Sequence, residues 1–123
     1  WGSGTPKREF LYSDDMAEAC IFIMNLADQD FKPLLAADRN DGLPPLINLG
    51  SGSDLTIAEL ASSVKEVVGF KGDVLFDQTQ PDGTMRKLMD SSRLNQLGWK
   101  VSTQLGDGLN QAYQDFKSFE GLK

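Results

Sequence analysis

Two glycine pairs and two cation pairs carry the chemistry this sequence can offer. Gly2-Ser3-Gly4 stands just ahead of Lys7-Arg8, and Gly50-Ser51-Gly52 stands between an apolar run and a helical pattern. Arg86-Lys87 is the other adjacent cation pair of the chain. Glycine-rich turns bring backbone N–H groups close to an anion, and an arginine fork binds phosphate oxygens in pairs, so these residue types point to phosphate. The second turn has the strand–turn–helix setting of a dinucleotide loop. The third glycine of that fingerprint would fall at position 55, however, where the residue is Leu55, and the neighbouring Asp54 would repel a pyrophosphate. The first turn leads into a predicted strand and not a helix. It is either a plain β-turn or, through Arg8 and Trp1 at its flanks, a grip on a diphosphate and an adjoining ring or sugar.

Other chemistry is scarce. The 123 residues contain no histidine, which excludes Ser-His-Asp and Cys-His catalysis, and with Cys20 as the one cysteine there is no plausible zinc site. Acid–base work is left to carboxylates, lysine, Tyr12 and Tyr113, and neither tyrosine is read as half of a reductase Tyr-Lys pair. A net charge of −6 argues against nucleic acid and anionic membranes as partners. The apolar runs are too short to span a bilayer, and a single thiol fits a reducing, cytoplasmic setting.

The elements that must position these residues follow from periodicity. Arg8–Tyr12 predicts a short strand, and Ser13 or Asp14 is placed to cap the helix behind it. In that helix Met16, Cys20, Ile23 and Ala27 recur at helical spacing, widened by Ala19 and Leu26, which makes Cys20 a packed thiol. From Asp28 to Pro45, Pro33, a turn cluster and a Pro-Pro pair predict a surface excursion that packs back through Phe31, Leu34 and Leu35. Leu46–Leu49 predicts a second strand. Thr56 with Glu59 forms a capping box for a helix carrying Ile57, Leu60, Ala61, Val64 and Val68, which Gly69 ends. Asp73–Asp77 predicts a third strand. A helix with Leu94 and Leu97 closes at Gly98-Trp99-Lys100. A last helix places Leu105, Leu109, Ala112, Tyr113 and Phe116 on one side, although Gly106 and Gly108 weaken its first turn. The order is α/β, with few short strands and about four helices, and it reads as part of a larger sheet.

Taken together, the blocks WGSGTPKREFLYSDDMA, INLGSG, TIAELA, VVGFKG, FDQTQPDGTMRKLMD and RLNQLGWK fall in the order seen in the GDP-L-fucose synthases. The chain resembles that branch of the extended short-chain dehydrogenase/reductase family over its length, apart from the stretch Asp28–Pro45. The resemblance implies a two-domain NADPH enzyme. Such an enzyme epimerises GDP-4-keto-6-deoxy-D-mannose at C3 and C5 and then reduces the C4 ketone to give GDP-L-fucose. In that family the cofactor loop and the catalytic residues lie in an N-terminal Rossmann half. Residues 1–123 would then be the C-terminal substrate-binding domain, with no catalytic residue and no cofactor site of its own, inactive by itself. By the same resemblance Trp1 contacts the GDP-sugar and Arg8 its diphosphate. Asp82 binds the nucleotide part through ribose hydroxyls, and Lys87 lies near the diphosphate. Met85 stands where the family commonly has Pro, which would loosen the loop ahead of Arg86 and Lys87.

The implied partners are the GDP-sugar, the Rossmann half, and a second copy in a homodimer. A domain of this kind would expose apolar surface along Leu46–Leu49 and the first helix. Two alternatives stay open: the corresponding part of another NDP-sugar epimerase or dehydratase, and a stand-alone nucleotide-sugar-binding or interaction module.

Overall fold

The computed structural model describes residues 1–35 and 46–119. Among them are five helices and a three-stranded sheet. The strands are β1 (Lys7–Glu9), β2 (Asp54–Thr56) and β3 (Arg86–Lys87). β1 is the middle strand, antiparallel to β2 and parallel to β3. The helices are α1 (Ser13–Met24), α2 (Asp28–Leu35), α3 (Ile57–Val68), α4 (Ser92–Gln96) and α5 (Leu105–Ser118). None of the described helices is long and apolar enough to cross a membrane.

The sheet differs from the one the sequence predicts. Leu46–Leu49 keeps the alternation of a strand, with Ile47 and Leu49 turned inward and Leu46 and Asn48 exposed. No described strand pairs with it, however, and the same holds for Asp73–Asp77. Strand structure requires a neighbour for its N–H and C=O groups, and apolar alternation alone does not supply one. β1 is likewise shorter than Arg8–Tyr12: it begins at Lys7 and ends at Glu9, where pairing with β2 and β3 runs out.

Two of the helices need correction. The backbone of Tyr12 stands at the N-cap of α1 with no side-chain cap, because Asp15 is drawn into the interior and Ser13 hydrogen-bonds its neighbour Asp14. On α1 the inward residues are Asp15, Ala19, Phe22 and Ile23, while Met16 and Cys20 are exposed, so Cys20 is not a packed thiol. Residues 28–35 form α2 where an irregular excursion was expected, and the turn cluster and Pro-Pro pair lie outside the described residues. Both ends of α3 agree with the sequence, whereas Val64 and Val68 of its predicted apolar face are exposed. Thr56 Oγ1 accepts from the Glu59 N–H at 3.1 Å, the Glu59 carboxylate accepts from the Thr56 N–H at 2.7 Å, and Gly69 closes the helix at φ +69°.

Ala19, Leu94 and Trp99 are the buried apolar centre, packed by Leu11, Phe22, Ile23, Ile47, Leu49 and Val101. Asp15 fixes α1 to the segment before α5: it accepts from Ser102 Oγ at 2.6 Å and from the Thr103 N–H and hydroxyl at 2.9 and 3.0 Å. α5 packs on α3. Gly108, which looked like a weakness in α5, is buried against the Tyr12 ring, and a Cβ there would lie 3.2 Å from it.

Candidate functional site

The chain's two basic dipeptides meet in the sheet. β1 and β3 run parallel with Lys7 opposite Arg86 and Arg8 opposite Lys87. Laterally paired residues share a face and sit about 4.8 Å apart. One face therefore carries Lys7 and Arg86, and the other Arg8 and Lys87. The first face is neutralised within the chain. Arg86 Nε donates across β1 to Asp54 Oδ2 at 2.5 Å, and Asp54 is nearly buried. Glu59 is held below the ordinary carboxyl value by the Thr56 N–H and hydroxyl, with the charge of Lys7 adding to them. On the second face, no described acid makes a salt bridge to Arg8 or Lys87.

Arg8 is half-buried and oriented by the loop ahead of β3. Its Nη1 donates to the carbonyls of Lys7 and Thr84, each at 2.6 Å, and its Nη2 lies against Gly83. The Nε–Nη2 edge makes no hydrogen bond among the described residues, and this is the edge that can grip two oxygens of one anion. Lys87 is exposed beside it. Met85 does not undo this placement, because its carbonyl accepts from the Lys7 N–H at 2.8 Å and leads directly into β3.

Asp82 and Trp1 lie on the same loop system. Asp82 Oδ1 accepts from the Ser3 N–H at 2.8 Å and Oδ2 from the Ser3 hydroxyl at 2.7 Å. Those bonds, hydroxyl first, hold the Asp82 carboxyl below its usual range, so it is ionised and acceptor-only at neutral pH. The Gly2 N–H donates to the Asp77 carbonyl at 2.8 Å and Gly2 lies against Asp82, so the exposed residue Trp1 is next in the chain to this loop system. The first Gly-x-Gly turn is thus a turn that binds a carboxylate of its own chain.

The second turn does the same. The Gly52 N–H donates to Glu9 Oε1 at 2.7 Å, and the Glu9 carboxylate fills the space above Gly50. This arrangement does not fit a dinucleotide, since the N–H that would meet a pyrophosphate already holds an anion. Glu9, Ser3 and Thr84 were missed in the sequence because each acts through a partner some 43 to 79 residues away. Lys117 does stand four residues after Tyr113, the spacing of a reductase Tyr-Lys pair, but in α5 its Nζ lies 4.7 Å over the Tyr113 ring. That is a cation–π contact within one helix.

A separate cavity of about 510 Å³ opens between the end of β1, α3 and α5, lined by Phe10, Tyr12, Leu60, Val64, Leu105 and Leu109 among others. Among the described residues no cluster of three acidic or cysteine side chains could hold a metal.

Comparison with known proteins follows this geometry. Residues 1–35 match the model of the NAD dependent epimerase/dehydratase family. A GDP-6-OMe-4-keto-L-xylo-heptose reductase from C. jejuni superimposes with a TM-score of 0.82 at 40% identity, over 96% of this chain and 33% of that one. A GDP-L-fucose synthetase from Naegleria fowleri bound to NADP shares the fold, with a TM-score of 0.74 at 24% identity. The chain therefore has the fold of the epimerase/reductase class. In sequence it is similar to GDP-L-fucose synthases. It is 51% identical to GDP-L-fucose synthase 1 of Arabidopsis thaliana and 49% identical to GDP-L-fucose synthase of Escherichia coli. The matches cover 92% and 94% of this chain but 31% and 35% of those proteins, so the chain spans about a third of their length.

Proposed function

We propose that residues 1–123 form the C-terminal, GDP-sugar-binding domain of a GDP-L-fucose synthase. The intact protein would convert GDP-4-keto-6-deoxy-D-mannose to GDP-L-fucose by epimerisation and NADPH-dependent reduction. The observation that carries the reading is the in-register pairing of β1 with β3, which sets Arg8 beside Lys87 on a face where, among the described residues, neither has a salt-bridge partner. A diphosphate carries about two negative charges, and a charge-assisted arginine contact to it contributes about 1.5–3 kcal/mol. Arg8 grips the diphosphate through its Nε–Nη2 edge and Lys87 adds a point charge. Asp82, ionised and anchored on Ser3, accepts from ribose hydroxyls with its remaining lone pairs, and the Trp1 indole covers a ring at the rim. None of these residues moves a proton of the reacting sugar. Their contribution is to hold the nucleotide so that the sugar is presented to groups elsewhere in the protein.

NADPH supplies the hydride in this reading and is bound outside the residues described, consistent with the closed Gly50-Ser51-Gly52 turn. The intact protein is proposed to be a cytoplasmic homodimer. The level of identity to several heptose reductases of C. jejuni, 38–40%, favours a second reading in which the sugar differs and the GDP contacts are the same. NADPH oxidation by the intact protein decides between them: turnover of GDP-4-keto-6-deoxy-D-mannose supports the first, and turnover only of a GDP-4-keto-heptose supports the second.

In the intact protein, Arg8→Ala should raise KM for the GDP-sugar about 10- to 150-fold and leave KM for NADPH nearly unchanged. Equal loss of both in steady-state kinetics would mean that Arg8 serves the fold and not the substrate.

A further inference from the structure

We infer that Glu9 is the positioning residue of the diphosphate site, fixing the register of β3 that places Lys87 beside Arg8. The inference rests on the functional reading above and adds a residue to it.

The β1–β3 ladder has two rungs, Lys7 with Arg86 and Arg8 with Lys87. So short a ladder fixes its register weakly, and a slip of one residue moves every side chain to the opposite face. Such a slip would bring Arg86 opposite Arg8 or carry Lys87 away from it. Glu9 is the next residue of β1, and its side chain supplies what the backbone ladder lacks. Glu9 Oε2 accepts from the Met89 N–H at 3.0 Å, two residues past Lys87, while Oε1 accepts from the Gly52 N–H at 2.7 Å and from Ser51 Oγ at 3.4 Å. One carboxylate thereby joins the chain after β3, the turn before β2, and β1 between them. The space for it is made by Gly50, where a Cβ would lie 2.5 Å from Glu9 Oε1. Two N–H donors converging on separate oxygens require a carboxylate. An amide offers one oxygen and would aim its NH₂ at the other N–H.

The test uses GDP as the probe and the intact protein. Glu9→Gln should raise the calorimetric Kd for GDP about tenfold while the Kd for NADPH stays within twofold, the pattern of a displaced phosphate contact. An unchanged Kd for GDP, or an equal loss for both ligands, would overturn the inference, because a purely structural role weakens both. Arg8→Ala is measured alongside. If it leaves GDP affinity unchanged, the functional reading itself fails, whereas loss in Arg8→Ala with none in Glu9→Gln removes only the role of Glu9. Should Glu9→Gln not fold, Gly50→Ala pushes the carboxylate off its donors without removing it, and carries the same expectation. The unaltered protein gives an independent result. Coupling is reciprocal, so GDP should slow hydrogen exchange at the Gly52 and Met89 amides several-fold, and exchange unaffected by GDP would overturn the inference.

Discussion

Asp15 shows how a single side chain can set the acid tolerance of this fold. Burial pushes its carboxyl up, but hydrogen bonds from the Ser102 hydroxyl, then the Thr103 N–H and hydroxyl, together outweigh burial and leave it below the ordinary aspartate value. A carboxyl depressed by folding contributes stability above its unfolded value and loses that contribution as pH falls through its folded value. Asp82, Asp77 and Asp90, each held low first by a neighbouring hydroxyl, and Glu59, held low first by the Thr56 N–H, act in the same direction. Stability should therefore be level above about pH 5 and fall below about pH 4. Asp15→Asn should cost about 1–3 kcal/mol in urea unfolding at pH 7, and the gap to the unaltered protein should narrow at pH 3. Nothing near Asp15 in the sequence announces this role, since its donors lie 87 and 88 residues further on. The sequence pointed to Arg8 and Lys87 by residue type and by family resemblance, whereas their adjacency and the role inferred for Glu9 needed the register of β1 and β3.

At the level of elements, what was legible divides by whether the deciding contacts are local. The α3 capping box joins residues three apart, and its start, its partner bonds and its glycine end all follow from the sequence. Thr56→Ala should cost about 0.5–2 kcal/mol, read as a lowered Tm without change in GDP affinity. α5 was legible from its periodicity, although Ala112 and Phe116 of its predicted side are exposed and the purpose of Gly108 became clear only once Tyr12 lay against it. The strands were misread because pairing is not local. Leu46–Leu49 and Asp73–Asp77 have the apolar character of strands and lack a described partner, whereas β2 and β3 are short and polar but do have one. Periodicity reports which way side chains face, and it does not report what lies alongside. Cys20 failed on a related point: α1 is apolar around more of its circumference than this chain covers.

At the scale of the molecule, the described residues enclose a small interior. Ala19, Leu94 and Trp99 form the buried apolar centre among the described residues, while on α1 Met16, Ile21 and Met24 remain 46%, 59% and 84% exposed. A contiguous apolar stripe of this kind marks an interaction surface. The 123-residue chain expressed by itself should therefore self-associate with rising concentration in sedimentation velocity. Replacing Ile21 and Met24 together by glutamate should shift it toward monomer. Cys20 lies on the same exposed stretch of α1 and is the sole thiol of the sequence. Its alkylation by a maleimide dye is consequently a one-site clock: labelling should be fast on the isolated chain and slow wherever another surface covers α1. A single reaction rate would then report what covers α1, before any ligand is added.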